Sequence, residues 1–564
     1  MPAPPIHRTN VADRLATAAA QRPQSLAVAA ANGHGGFDTV TFAELDTDAT
    51  RLACGLATLG IGPGKRIALL VKPGVEFVTL VFALLRTGAT MVLVDAGLGR
   101  ENIVRCLAST EPDGFVAIPL GHALRVLKRK QFPNAKLNVT VGRRWFWGGE
   151  TLRSVRRLGE RADLLPTHRD FPAATRAEDP AAIVFTSGST GPPKGVLYTH
   201  QTFVTQCDEI QRQYELQPGA VDLACFPLFG LFNVACGITT VLPQMDFSRP
   251  ASCDPHKVLA AANQWQVTQA FASPAVWDRL SRHCEATGAT IPTLKNVFSC
   301  GAPVSARVLR RTLGCVHRDA QMHTPYGATE ALPVATIEAQ EILGETAAKT
   351  DAGAGVCVGR KFDTIDWRII RISDDPLTTI DETDELPRGE IGELIVRGPQ
   401  VSTQYQNPIP HPSASDQQRS PHNELAKIKD GDAIWHRLGD VGYFDAQQRF
   451  WYCGRKSQRV RTASSEHYAD QIEAYFNGVA GVRRTALVGV PTQGETESVL
   501  VYEPAPGHLG DASLSEKLAA RASQCADRWR IPHFLEHRLL PTDIRHNSKI
   551  RREALAIWAA EQLR

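Results

Sequence analysis

Apolar runs separated by turn-forming residues recur along the first half of the chain. RIALLV at 66–71 predicts a strand, VEFVTLVFALLRTG at 75–88 a helix, and TMVLVDAG at 90–97 a second strand. AAIVFTSGSTG, QAFASPAVWDRL and NVFSCGAPVSARVLRRTL show the same change from a strand to a turn or a helix. This alternation favours an α/β fold with mixed or largely parallel sheets flanked by helices.

One uncharged stretch, LACFPLFGLFNVACGITTVLPQM at 223–245, has the length of a bilayer span, which takes about 20 residues. Turn-forming residues such as Pro227 and Gly230 interrupt it. Acidic residues flank it, Asp222 and Asp246, without basic anchors. We therefore interpret the stretch as a buried helix that lines an apolar pocket, and we expect no membrane span.

The pattern of predicted elements along the chain changes after WYCGRKSQRV at 451–460. Two short strand patterns and two helical patterns follow, at 485–490, 498–504, 512–528 and 551–563. They predict a small C-terminal α+β domain.

Three polar stretches predict solvent-exposed surface. The proline-rich segment at 404–433 is interpreted as a mobile surface excursion rather than a domain linker. The basic clusters VLKRK at 126–130 and VGRRW at 141–145 are interpreted as solvated faces rather than binding patches.

Composition narrows the class of protein. A length of 564 residues predicts about two to four domains. The net charge of +3 gives no indication of a nucleic-acid partner. Twelve cysteines without a C-x-x-C pair predict reduced, mostly buried thiols with no zinc site or disulfide framework. The first 15 residues lack an apolar signal segment, so a cytoplasmic location is expected.

The stretch FTSGSTGPPKGVLYTH at 185–200 predicts an anion-binding loop. It has neither the G-x-x-x-x-G-K spacing of a Walker A loop nor the G-x-S-x-G of a serine hydrolase. Free backbone N–H groups, hydroxyls and one mobile lysine can wrap a polyphosphate. The candidate ATP-binding residues here are Thr186, Ser187, Gly188, Ser189, Thr190, Gly191 and Lys194.

This loop resembles the phosphate loop of the adenylate-forming superfamily, which includes acyl-CoA synthetases, luciferases and peptide-synthetase adenylation domains. Further motifs match in the family's order, from about residue 12 to 556. CGAP resembles the adenine-binding turn, which implies roles for Gly301, Ala302 and Pro303.

The match of YGATE to the family's Y-G-x-T-E motif implies three roles. Tyr326 offers a flat face to adenine, Thr329 can bond a phosphate oxygen, and Glu330 is a hard oxygen ligand for Mg²⁺. The resemblance therefore implies ATP and Mg²⁺ as cofactors.

Three later matches concern the ribose, the hinge and the reacting oxygens. HRLGD implies that Asp440 accepts the ribose hydroxyls, and GRKS implies that Arg455 contacts ribose or the α-phosphate. Ser457 occupies the hinge position, where the family usually has Asp or Lys. NSKIRRE implies that Lys549 bridges the attacking carboxylate and the α-phosphate. The implied domains are an N-terminal ATP- and acyl-binding domain, 1–454, and a mobile catalytic domain, 455–564.

The implied reaction is attack of a carboxylate on the α-phosphorus of ATP, with Lys194, Glu330 and Lys549 offsetting the negative charge. CoA ligases of the family commonly have P-L-F-H, whereas this chain has Gly230 in the last position of PLFG. Ser464 stands where such ligases have the glycine that lets pantetheine pass. Phe229, Gly230 and Phe232 are the expected acyl-pocket residues.

The segments at 94–119 and 138–149 resemble one branch, the bacterial olefin-pathway β-lactone synthetases. The resemblance implies a long-chain β-hydroxy acid whose hydroxyl displaces AMP, and a possible association with sister olefin-pathway enzymes. WFWGG could line or cover the alkyl site, or form a packed aromatic cluster.

Two alternatives stay open at this point. One is a long-chain acyl-CoA ligase, which would consume CoA. The other is a non-catalytic adenylate-sensing protein, which would predict damage at Lys549 or Glu330, although both are present. The base for the β-hydroxyl is not identified. His200, His436 and His467 lie near motifs, but most histidines in such places are structural.

Overall fold

The computed structural model describes residues 9–160, 175–186, 193–406, 421–492, 494–542 and 550–564. Within these ranges the chain forms two seven-stranded sheets, one eight-stranded sheet, and a two-stranded and a three-stranded sheet near the C-terminus.

The strands of the first 300 residues are β1 Leu26–Ala31, β2 Phe37–Thr41, β3 Arg66–Leu70, β4 Thr90–Leu93, β5 Gly114–Ala117, β6 Leu137–Thr140, β7 Glu150–Thr151, β8 Pro180–Thr186, β9 Lys194–Thr199, β10 Val221–Ala224, β11 Thr239–Leu242, β12 Gln269–Ala272 and β13 Asn296–Ser299. The later strands are β14 Gln321–His323, β15 Tyr326–Ala328, β16 Ala331–Thr336, β17 Val356–Lys361, β18 Asp366–Ile370, β19 Gly392–Arg397, β20 Lys427–Asp430, β21 Ala433–Phe444, β22 Phe450–Arg455, β23 Val460–Arg461, β24 Glu466–His467, β25 Val482–Thr492, β26 Glu495–Pro504 and β27 His533–Glu536.

The helices up to residue 264 are α1 Asp13–Gln21, α2 Phe42–Thr58, α3 Val75–Thr87, α4 Arg100–Ala108, α5 Pro119–Leu127, α6 Leu152–Gly159, α7 His200–Gln213, α8 Pro227–Ala235 and α9 Pro255–Gln264. The later helices are α10 Pro274–Thr287, α11 Ala306–Leu313, α12 Ala339–Glu341, α13 Ala347–Asp351, α14 Pro421–Ala426, α15 Ala469–Asn477, α16 Ser513–Ser523 and α17 Arg552–Gln562.

The two seven-stranded sheets are almost entirely parallel. Their strand orders are β14-β13-β12-β10-β11-β1-β2 and β7-β6-β5-β3-β4-β8-β9, and the only antiparallel pairs among their described strands are β1–β2 and β8–β9. Strands such as β4 and β5 are buried throughout, as expected where helices cover both faces of a parallel sheet. Every residue of α3 from Phe77 to Thr87 is buried, which explains why its sequence is apolar except for Thr79, Arg86 and Thr87.

The eight-stranded sheet is antiparallel, with the order β15-β16-β17-β22-β21-β19-β18 and β20 paired with β21. The C-terminal part packs α15 and α17 on β25, which pairs antiparallel with β26, and β27 joins β26 in parallel. The fold is thus α/β, with a large N-terminal part and a small α+β part after it.

The structure confirms the predicted strand at 66–71 and the helix at 75–88, while the strand predicted at 90–97 ends at Leu93. The single helix predicted at 223–245 was wrong. That stretch forms β10, the nine-residue α8 and β11, because Pro227 begins a helix and Gly237, at a positive φ of 70°, ends the turn after it.

The segment at 404–433 is also more regular than predicted. Residues 407–420 lie outside the described ranges, but α14 and β20 follow, and β20 adds a strand to the antiparallel sheet. In the C-terminal part, β27 and α15 had no clear signal and were not predicted. Among the described residues, no helix has the length and apolar character needed to cross a membrane.

Candidate active site

A cavity of about 2500 Å³ lies where the three large sheets and the C-terminal part meet. The residues around it come from each region: Phe229 from α8, Tyr326 from β15, Asp440 from β21 and Arg552 from α17. A space of this size can hold a nucleotide together with an acyl substrate.

The ribose-binding candidates meet through strand register. Asp440 on β21 is the direct partner of Arg455 on β22, and Arg455 Nη1 lies 3.0 Å from Asp440 Oδ1. The hydroxyl of Tyr326 donates to Asp440 Oδ2 at 2.5 Å. Burial raises the pKa of Asp440, and the charge of Arg455 opposes that effect. The result is a buried carboxylate held by a cation and a phenol at the cavity wall.

The predicted adenine turn lines the same wall. Gly301, Ala302 and Pro303 all border the cavity. Gly301 has a φ of 96°, a conformation that side chains rarely adopt, so glycine is required for the turn. A Cβ at Gly327 would lie 2.6 Å from the carbonyl oxygen of Ala331, so YGATE also needs its glycine.

The phosphate-side candidates lie around one tyrosine. Tyr405 donates its hydroxyl to Glu330 Oε1 at 2.6 Å, and Lys194 Nζ lies 5.3 Å from the centre of the Tyr405 ring. Burial lowers the pKa of Lys194, and the charge of Glu330 opposes this shift. Thr329 lines the cavity, and its carbonyl oxygen accepts a hydrogen bond from Tyr198. A lysine and a carboxylate therefore face the cavity together.

Part of the predicted site lies outside the described residues: Ser187, Gly188, Ser189, Thr190, Gly191 and Lys549. The backbone of Thr186 is described as the end of β8, in register with Lys194 on β9. The loop thus joins two antiparallel neighbours.

Three residues near Glu330 were not predicted from the sequence as site residues. Tyr405 is one of them. Lys427 is half-buried, donates to the carbonyl oxygen of Ser402, and lies 5.3 Å from the Tyr405 ring. Burial lowers the pKa of Lys427 to about 7. His422 is the only histidine among the described residues that line the cavity, and burial lowers its pKa. All three belong to the segment interpreted as a surface excursion, whose polar composition gave no signal of burial.

The predicted hinge follows a buried charge cluster. Ser457 borders the cavity within the short turn Lys456–Gln458. Lys456 Nζ lies 3.0 Å from Glu393 Oε2, which also accepts from Arg437 Nη2 at 2.7 Å. The side chains of Glu393 and Arg437 are 1% and 2% exposed. The residue before Ser457 is therefore tied to the large antiparallel sheet.

Aromatic rings form one side of the cavity. Phe229 and Phe271 stack with 3.6 Å between ring centroids, and Phe229 and Phe232 lie 5.7 Å apart. Phe229 and Phe232 line the cavity as predicted, but Gly230 is not among its lining residues. A Cβ at Gly230 would point at Thr240 Cγ2, 2.8 Å away, because this face of α8 packs on β11.

A buried polar group lies among these rings. Asp222 accepts hydrogen bonds from Asn233 Nδ2 at 2.8 Å and Gln269 Nε2 at 3.1 Å, and all three side chains line the cavity. Burial raises the pKa of Asp222 to about 6.

The three histidines near motifs are structural. His200, His436 and His467 are 1–2% exposed, and none lines the cavity. His436 Nδ1 lies 3.1 Å from the carbonyl oxygen of Ala426, and His467 Nδ1 lies 2.7 Å from Ser498 Oγ.

A family model described as AMP-binding enzyme matches residues 15–406, and the chain therefore belongs to the AMP-binding enzyme family. In fold it is similar to the amide bond synthetase McbA from Marinactinospora thermotolerans, with a TM-score of 0.77, 21% identity, and 97% of this chain and 99% of that chain covered. It is also similar to ATP-bound MatB from Rhodopseudomonas palustris, with a TM-score of 0.76, 20% identity, and 99% and 100% covered.

Two curated relatives are much more similar in sequence. The chain is 44% identical over 562 residues to an olefin beta-lactone synthetase of Stenotrophomonas maltophilia, with 98% of both chains covered. It is 43% identical over 566 residues to an olefin beta-lactone synthetase of Xanthomonas campestris pv. campestris, again with 98% of both covered. Feruloyl-CoA synthase of an Amycolatopsis species is 28% identical over 507 residues. Within the family, the chain thus groups with the olefin beta-lactone synthetases.

Proposed function

We propose that this protein converts a long-chain β-hydroxy acid to a β-lactone at the expense of ATP. A carboxylate oxygen attacks the α-phosphorus and pyrophosphate leaves, which gives an acyl-adenylate. The β-hydroxyl oxygen then attacks the acyl carbon, the hydroxyl proton is lost, and AMP leaves as the four-membered ring closes. One observation carries this proposal: a single cavity joins the Asp440–Arg455 pair, Lys194 and Glu330 to the aromatic wall around Phe229.

The described residues have distinct proposed roles. Asp440 accepts the ribose hydroxyls, and Arg455 and Tyr326 hold its carboxylate in place. Lys194 offsets the charge of the β- and γ-phosphates. Lys549 is proposed to reach the reacting oxygens from the C-terminal part, with Ser457 as the hinge and 454/455 as the domain boundary.

Glu330 fits the proposed Mg²⁺ site. Magnesium in ATP sites is commonly held by one or two carboxylates together with substrate phosphates. Among the described residues, no group of three or more acidic, histidine or cysteine side chains could hold a metal by itself, which agrees with that mode. When bound, the ion would offset negative charge on the phosphates, and Tyr405 orients the Glu330 carboxylate by its hydrogen bond.

Two features favour the hydroxyl over CoA as the second nucleophile. Ser464 is exposed and stands where a CoA ligase has glycine. A hydroxyl in the same molecule also has a high effective concentration, formally about 10⁵–10⁸ M for well-oriented groups. The strain of the four-membered ring offsets part of this gain in effective concentration.

The test is product analysis. The protein is incubated with ATP, Mg²⁺ and a β-hydroxy fatty acid, with and without CoA, and the products are identified by mass. We expect AMP, pyrophosphate and a β-lactone in both reactions. A CoA thioester, or a reaction that requires CoA, would support the ligase alternative. A matched fatty acid without the hydroxyl should stop at the adenylate.

A further inference from the structure

The loop at 142–149 presents two aromatic side chains to solvent. Trp145 is 60% exposed and Phe146 is 81% exposed. The hypothesis that WFWGG lines or covers the alkyl site is not supported, because none of these residues is among those that line the cavity. Adjacent exposed aromatic side chains on a folded surface indicate an interaction site.

This loop is held in place by its third aromatic residue. Trp147 is buried, donates Nε1 to Thr140 Oγ1 at 3.0 Å, and stacks on His122 with 5.8 Å between ring centroids. Its carbonyl oxygen accepts from Arg125 Nη2 at 2.8 Å. Trp145 stacks on Trp147 at 5.7 Å. The exposure of Trp145 and Phe146 is therefore imposed by a fixed loop.

The surrounding segment is strongly basic. Residues 119–149 contain seven lysines and arginines and no aspartate or glutamate, although the whole chain has a net charge of only +3. The rest of the chain is therefore net negative. The seven are Arg125, Lys128, Arg129, Lys130, Lys136, Arg143 and Arg144. Helix α5, on which the loop packs, also exposes Leu120 and Leu127 at 73% and 80%.

The loop begins at the sheet edge that borders the cavity. It follows the carboxyl end of β6, whereas the cavity-lining residues Val71 and Val94 follow the carboxyl ends of β3 and β4. Strands β3, β5 and β6 are neighbours and parallel, so these ends share one edge. The carboxyl ends of β3 and β6 are two strand spacings apart, which is roughly 10 Å.

We propose that the basic segment at 119–149, which includes α5 and the loop at 142–149, forms a docking surface for an anionic lipid bilayer. Aromatic side chains enter the boundary between headgroups and acyl chains, and Arg and Lys side chains attract anionic headgroups. Charge complementarity favours this partner over a neutral surface. This docking surface goes beyond the proposed function. It rests on the proposed function in one respect: a long-chain acid is dissolved in lipid, and docking brings the edge of the cavity to that acid.

The test is cosedimentation of the full chain with vesicles, without ATP or substrate. The vesicles are phosphatidylcholine alone and phosphatidylcholine mixed with phosphatidylglycerol. Binding to the mixed vesicles should fall about tenfold or more in Phe146→Ala. It should fall about fivefold in Arg143→Gln. Leu539→Ala, which removes a side chain 60% exposed outside the patch, is the matched control and should bind as the wild type does.

The possible outcomes distinguish a lipid bilayer from a protein as the partner of this surface. Binding to the mixed vesicles that the two patch variants weaken, with the control unchanged, supports the proposal. Absence of such binding, or binding that the variants retain, overturns it. So does concentration-dependent self-association, seen by gel filtration, that Phe146→Ala abolishes without any vesicle binding, because the patch is then a protein interface. Adenylation of a short, water-soluble β-hydroxy acid should be unchanged in the variants, which keeps this test independent of the proposed function.

Discussion

The contact between α8 and β11 gives a direct test of how Gly230 is used. A Cβ at this position would lie 2.8 Å from Thr240 Cγ2, and Thr240 is fully buried. Thr240 Oγ1 also donates to the carbonyl oxygen of Gly230 at 3.1 Å. Gly230→Ala therefore forces the helix and the strand apart, and Thr240→Ser removes the obstructing methyl while keeping the hydroxyl.

The expected change in the free energy of unfolding follows from two opposing effects. Overpacking of a close-packed core costs about 1–3 kcal/mol. Alanine is favoured over glycine in a helix by about 1 kcal/mol. Gly230→Ala alone should thus lower the free energy of unfolding by about 0–2 kcal/mol. In the Thr240→Ser background the same change should be neutral or stabilising by up to about 1 kcal/mol, because only the propensity effect remains.

A double-mutant cycle isolates the contact, since the propensity effect is the same in both backgrounds. The free energies of unfolding of the four proteins are compared by urea denaturation, and we expect a coupling of about 1–3 kcal/mol. Gly344→Ala is the control, because no atom lies within 4 Å of a Cβ placed there. Additive effects would refute the packing argument.

Three further predictions concern buried charges. Asp440→Asn should weaken ATP binding about 10- to 100-fold in calorimetry, because the ribose hydroxyls lose the charged acceptor that Tyr326 and Arg455 hold in place; unchanged affinity would remove Asp440 from the ribose site. Glu393→Gln should lower the free energy of unfolding by about 3–5 kcal/mol in urea, since the buried Arg437 and the partly buried Lys456 lose their anion; a loss below about 1 kcal/mol would contradict this. Asp222 has a pKa raised to about 6 from 3.8, so its contribution to stability is present below pH 4 and lost as the pH rises through 6. The stability of the wild type relative to Asp222→Asn should therefore fall by roughly 3 kcal/mol between pH 4 and pH 7, and a constant difference would disprove the shift.

Sequence patterns located most of the chemistry because its signals are local. The turn at Gly301 needs glycine for its positive φ, and the strand before the phosphate loop is a continuous apolar run. Such features depend on neighbours in the chain, so a reader of the sequence can find them. The 223–245 stretch shows the limit: apolar composition alone does not distinguish one long helix from a strand, a short helix and a strand.

Contacts between segments that are distant in the chain could not be predicted from the sequence. Tyr405 and Lys427 were interpreted as surface because their segment is polar. The fold instead buries Tyr405 against Glu330, 75 residues away in the chain, and leaves Lys427 half-buried beside the Tyr405 ring.

The sequence by itself determined the class of reaction, the order of the nucleotide motifs and the α/β alternation. Only the tertiary structure decided which side chains meet: Asp440 with Arg455 through the register of β21 and β22, Gly230 against β11, and Trp145 and Phe146 facing solvent. The physical reason is that a backbone conformation depends on adjacent residues, whereas the face that a strand, helix or loop buries depends on what the rest of the chain packs against it.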